Sequence, residues 1–193
     1  MTASDKSQGE YKMIVRRMVQ LFAVCMIGSL SVAADAQAQN ARARDGFWIS
    51  GGLGYGMFGC DGCGSREGGL SGDLSLGGTI SPRFLLGAGT SGWTQSEGGG
   101  TLTVGLLDAR VRFYPSARGG LFLTGGVGVG SVKASIDGFG STTETGVGVI
   151  LGLGYDYRVS PNMSITPYWN GFAMRNDVMD ANVGQMGIAL TLH

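Results

Sequence analysis

Few residue types in this chain could do chemistry, and their placement narrows what that chemistry could be. The one histidine is His193, the last residue. Ser-His or Cys-His catalysis inside a fold therefore lacks its base, and a multi-histidine metal site lacks its ligands. Cys60 and Cys63 enclose Asp61-Gly62. That spacing is open to a local disulfide, to two free thiols, or to part of a metal or redox site. Zinc wants about four ligands, and a redox C-x-x-C opens a helix in a thioredoxin-like unit. Neither context accompanies this pair, so the disulfide is favoured, adding at most about 2 kcal/mol through loop entropy. Two G-x-G-x-x-G matches, Gly54/Gly56/Gly59 and Gly87/Gly89/Gly92, precede no helical pattern. With 37 glycines in 193 residues such matches arise by chance, and no dinucleotide site is expected. The reading is of no catalytic residue, no cofactor and no metal. What remains is charge: Asp73, Asp108, Arg110, Arg112, Asp156 and Arg158, every one on the same parity of an alternating segment.

The composition sets the frame for those charges. Formal net charge is zero with 15% charged residues, which disfavours a basic nucleic-acid binder. An apolar share of 43% argues against disorder, and 4 prolines without a Gly triplet argue against collagen. Lys12, Arg16 and Arg17 precede an apolar stretch from Met18 to Ala34, followed by Ala36-Gln37-Ala38. A basic region, an apolar region and an A-x-A site predict a secretory signal peptide over residues 1–38, with Met13 as an alternative start. Residues 39–45 are read as a short lead and 46–193 as the folded domain.

From residue 46 the periodicity is two, the signature of strands with unlike faces. Eight segments carry it: 47–57, 70–80, 84–91, 107–114, 121–130, 146–158, 163–170 and 185–192. In the sixth, Val147, Val149, Leu151, Leu153 and Tyr155 alternate with Gly146, Gly148, Ile150, Gly152 and Gly154. Strands of about ten residues are what a tilted strand needs to cross a bilayer. Short links hold Ser81-Pro82-Arg83, Pro115 to Arg118 and Ser160-Pro161-Asn162, and longer links are expected around 58–69, 95–100, 133–141 and 173–181. Pro167 falls inside the seventh segment and requires a bulge there, or else weakens that strand.

The direction of the apolar face follows from the charges. An Arg facing lipid at mid-bilayer costs about 2–4 kcal/mol, so charge belongs inside. A soluble sandwich would put its polar faces in water with Lys and Glu, whereas Lys133 is the only lysine after Lys12. A sheet in lipid must also close on itself, because every backbone polar group needs a partner. The expectation is all-β: an eight-stranded antiparallel up-and-down transmembrane β-barrel. Its interior should be packed with side chains, with a narrow cavity beside the Gly-rich wall as the alternative.

Signal peptide, eight amphipathic strands, Pro-marked short turns and a terminal strand at the chain end together resemble the small outer-membrane barrel superfamily of OmpA/OmpX/OmpW type, over about residues 44–193. The segment from Gly187 to Leu192 is similar to that family's C-terminal insertion signal, although Leu192-His193 stands where the family usually ends in an aromatic residue. The resemblance implies outer-membrane location with both termini periplasmic, contact with outer-membrane lipid and the barrel-assembly machinery, no nucleic acid, and a monomer in a Gram-negative type cell. The chain ends on that strand, so a peptidoglycan-binding domain is not expected. Three functions stay in play: a non-enzymatic structural or surface-interaction protein, a narrow conduit for small or apolar solutes, and a lipid-modifying enzyme. The missing internal histidine makes the enzyme the weakest. The six lumen charges serve the first as a salt-bridge network and the second as a constriction.

Overall fold

The computed structural model describes residues 44–60, 64–136, 140–175 and 180–193. The signal peptide expected over 1–38, most of the lead, and Cys63 lie outside the described residues. Nine strands follow one another: β1 (Phe47–Cys60), β2 (Glu67–Ser81), β3 (Phe84–Glu97), β4 (Gly100–Phe113), β5 (Leu121–Ile136), β6 (Gly140–Tyr155), β7 (Tyr157–Ser160), β8 (Met163–Arg175) and β9 (Asp180–Leu192). All pairings are antiparallel, β1 pairs β9, and β6 pairs β8, so the sheet closes. β7 continues β6 past Asp156 and pairs the same partner, β8. The barrel therefore has eight staves.

Register fixes the tilt. From Tyr55 the pairing can be followed through β2, β3, β4 and β5 to Thr143 on β6. The opposite route, through β9 and β8, reaches β6 at Leu153, ten residues away. At ~3.3 Å per residue and ~4.8 Å between strands, a stagger of ten residues over eight staves tilts the strands by about 40°.

Alternation decides which side chains face out. Leu53 and Val147 are 71% and 72% exposed to the surroundings, whereas Trp48, Leu85 and Ile150 are fully covered. The outward face is a belt of Leu, Val, Ile and Met, with aromatic neighbours Phe84–Phe113 and Tyr155–Tyr157 at the end where both termini lie. Such a belt in water would be an untenable apolar surface; in acyl chains it needs no cover.

Inside, two apolar layers form. Trp48, Leu85, Tyr114 and Phe122 pack at the terminal end. Phe58, Trp93, Val104, Leu106, Ile150, Phe172 and Val183 pack toward the hairpin end, with the Phe58 and Trp93 rings stacked at 5.2 Å. Glycine makes the tight curvature possible where it sits opposite glycine across the inner wall, as in Gly54↔Gly187 and Gly77↔Gly87. A Cβ on Gly187 would lie 2.9 Å from the Gly54 Cα, and one on Gly87 the same distance from the Gly77 Cα. Any side chain there would push the strands apart.

Three sequence expectations need correction. The strands run 13–16 residues rather than about ten, apart from the short β7, so the links expected to be long around 133–141 and 173–181 shrink to three and four residues, while six part β1 from β2. The link expected to be long around 95–100 is a two-residue turn of Gly98 and Gly99, both at positive φ (59° and 81°), the conformation that lets a tight hairpin follow the strand twist. The ladder runs on through this stretch, from Thr94↔Thr103 to Glu97↔Gly100. Pro167 carries no bulge: it pairs Ile188 in unbroken register. Its missing N–H points instead at the seam with Tyr155 and Asp156, where β6 gives way to β7 and the Asp156 N–H donates to the Gly120 carbonyl.

Candidate functional site: the buried charges of the lumen

Asp108 and Arg110 stand two apart on β4 and so share its inner face. The Arg110 guanidinium donates through Nε and Nη2 to both Asp108 oxygens, at 2.9 and 2.7 Å. Its Nη1 reaches across β3 to Asp73 on β2 at 2.7 Å. Gly89 on β3 makes that reach possible, because the guanidinium occupies the space a Cβ would fill. Ser91, paired with Asp73 in the ladder, donates to its Oδ2 at 2.8 Å and accepts from Arg110 Nη2 at 3.1 Å. Asn170 on β8 adds a longer contact to the same oxygen at 3.4 Å. One cation thus serves two carboxylates in a fully buried layer.

Arg112, one step further toward the terminal end, is separate. Its guanidinium lies between the rings of Trp48 and Phe122, 4.5 and 4.8 Å from their centroids, and donates to Ser75 at 2.9 Å. Ring faces supply the negative charge that a carboxylate supplies to Arg110.

Asp156 organises a third group. It accepts from Tyr114 Oη at 2.9 Å and from Thr166 Oγ1 at 2.8 Å. Arg44 Nη2 stands 3.9 Å from it and His193 Nε2 3.5 Å from it. The Arg44 guanidinium covers the Tyr114 ring at 3.5 Å and donates to the carbonyls of Ala117 and Gly119. Arg44, three residues before β1, and His193, the residue after β9, therefore both close on the carboxylate that interrupts the β6–β7 stave. Arg158 sits half-buried two residues beyond it.

The six charges read from sequence thus fall into a network (Asp73, Asp108, Arg110), an aromatic clamp (Arg112) and a terminal-end cluster (Asp156), with Arg158 at its edge; they do not share one level. Sequence reasoning missed Arg44, Tyr114, Thr166 and His193 as partners. Parity puts Tyr114 and Thr166 inside, but nothing in the sequence aims an arginine of the lead back into the lumen.

This arrangement holds charge still rather than exposing it. The void beside Arg110, Arg112, Tyr168 and Asn170 is about 10 Å³, at the limit of what one water needs. Among the described residues no group of three His, Cys, Asp or Glu could hold a metal ion. Cys60, at the end of β1, is disulfide-bonded. We propose Cys63 as its partner. Intact exported protein is then expected to show no free thiol at either position; labelling of both by a maleimide without reductant would reject the pairing.

A closed eight-stave cylinder with an apolar exterior and salt-bridged interior defines an integral β-barrel of the outer membrane. The chain matches the family model for the outer membrane protein beta-barrel domain over residues 22–192, and it belongs to that family. No curated protein sequence matches it. Among solved structures it is similar to Neisserial surface protein A, at 15% identity and TM-score 0.58, covering 76% of this chain and 96% of that one. It is also similar to Ail, the attachment invasion locus protein of Yersinia pestis, in complex with the heparin analogue sucrose octasulfate. That match has 17% identity and TM-score 0.59, and covers 77% of this chain and 100% of that one. At such identities the likeness is one of fold.

Proposed function

We propose that this protein is a non-enzymatic, non-conducting outer-membrane barrel with a structural or surface-interaction role. The observation that carries this reading is the filled lumen. An aromatic layer, an ion-paired layer and an apolar layer succeed one another along the axis, with a void of about 10 Å³ beside the ion pairs, and a recess of about 470 Å³ lined by Phe58, Gln95 and Leu102 opens beyond the apolar layer at the hairpin end. A conduit needs a continuous wet path, and its constriction charges need an ion to face. Here Arg110 is already engaged by both carboxylates. An enzyme would need a nucleophile and base facing a cavity, and no observation favours one. The turn-bearing end, with both termini, is read as periplasmic and the hairpin end as outward. The acyl chains of the membrane then contact the belt, the terminal strand is presented to the assembly machinery of a Gram-negative type cell, and the barrel works as a monomer.

The test is electrical. Purified protein in planar bilayers is expected to give no discrete conductance steps, and proteoliposomes to show no sugar-driven swelling above lipid alone. Reproducible steps from wild-type protein would reject the reading.

A further inference from the structure

The outward face is not uniform. On β1, β2 and β9 it is apolar over most of its length, but on β3–β6 it changes abruptly above the row Leu107, Val129 and Val147. From there to the hairpin tips the outward positions are Ser, Thr, Gly and Lys133. One row reads Thr94–Thr103–Lys133–Thr143 in direct register. Neighbouring hydroxyls pair across strands, Thr94 with Thr103 at 3.2 Å and Ser96 with Thr101 at 2.9 Å. From Val129 to Ile136 β5 rises roughly 18 Å along the barrel axis, taking ~3.3 Å per residue and the tilt above. Lys133 is exposed, and among the described residues no carboxylate occupies an outward position on these four strands; Glu97 and Glu144 are on lumen parity. Directly below Thr94 and Thr103 lies a groove of about 410 Å³ floored by Gly72 and Gly92, which face each other in register, and walled by Leu53, Leu70 and Leu74.

We propose that this face docks a single outer-leaflet lipid with a phosphorylated sugar headgroup. One acyl chain lies in the Gly72–Gly92 groove, the sugar hydroxyls meet the Ser/Thr array, and the phosphate meets the Lys133 ammonium. The occupant follows from continuity: this face rises straight from the lipid belt, so whatever covers it is the headgroup of the lipid whose chains cover the belt below. Paired hydroxyls both donate and accept, as a sugar requires, and a cation on a face that shows no carboxylate among the described residues complements a phosphate. The proposal rests on the hairpin end facing outward but not on the closed lumen, so either can fail alone.

The probe is vesicles of phosphatidylcholine doped with a bis-phosphorylated, multiply acylated glucosamine lipid or with its phosphate-free form. Reconstituted protein is extracted in mild detergent and retained lipid counted by native mass spectrometry. Wild type is expected to keep one phosphorylated molecule and little of the phosphate-free one. K133E is expected to lower retention about tenfold, the charge reversal acting on a surface contact, and G92L to lower it similarly by filling the groove. K133R should retain it, and heat-modifiable gel migration of each variant shows that the barrel has formed. Equal retention of both lipid forms, undiminished retention by K133E and G92L, or a dimer cross-linked through residue 133 would each overturn the proposal.

Discussion

Replacing Arg110 with leucine is expected to cost the folded barrel about 3–5 kcal/mol, because it leaves two carboxylates buried without their cation. Asp73 and Asp108 each receive a 2.7 Å contact from that one guanidinium, and both are almost wholly covered. Ser91 and Asn170 would remain to Asp73, but neither carries charge. Urea unfolding of vesicle-reconstituted protein measures the loss. The same experiment separates the cost of stranding charge from the worth of the pair: adding Asp73→Asn and Asp108→Asn to the leucine variant removes the stranded charges and should recover most of the stability. If Arg110→Leu alone unfolds within about 1 kcal/mol of wild type, the network is not what fills and fixes the lumen.

The second large effect is steric. Gly54→Val should prevent the barrel from closing, with a loss of about 3 kcal/mol or more and no heat-modifiable folded band. A Cβ at residue 54 would lie 2.8 Å from the Gly187 Cα across the β1–β9 seam, and the Met186 carbonyl oxygen closer still. Valine is a better strand former than glycine, so intrinsic preference alone argues for stabilisation. The two arguments have opposite signs. Gly78→Val on β2 is the control: nothing lies within 4 Å of its Cβ position, and its stability should stay within about 0.5 kcal/mol of wild type. Equal tolerance at residues 54 and 78 would show that the seam glycines set nothing.

The number of staves, the face each presents and the family were legible in the sequence because period-two alternation is a local property. The sixth segment alone, with Val147 to Tyr155 outside and Gly146 to Gly154 inside, fixes its orientation without reference to any partner. Strand length was not legible beyond the apolar rows. Thr94, Ser96, Thr101 and Thr103 look like loop by composition, yet the barrel continues through them because backbone pairing does not need apolar side chains. Parity groups the six charges on one face, but nothing in the sequence divides them into a network, a clamp and a terminal-end cluster. Which carboxylate Arg110 takes depends on the stagger between β2, β3 and β4, a non-local quantity. Arg44 and His193 escape for the same reason: each lies beside a strand, and only closure of the cylinder brings them to Asp156. The glycine pairs were counted as a compositional excess; their meaning appears only once register sets one against another.

The turn of Gly98 and Gly99 gives one corner of the barrel a fixed shape up to its tip. Only those two residues part β3 from β4, and Glu97 still pairs Gly100 in the ladder. A molecule that met this corner would find hydrogen-bonded ribbon whose shape is set before contact. Little ordering entropy is then lost on association, so even a small footprint can be held. The same pairing ties any substitution at Gly98 or Gly99 to upkeep of the hairpin beneath, because both positions hold positive φ.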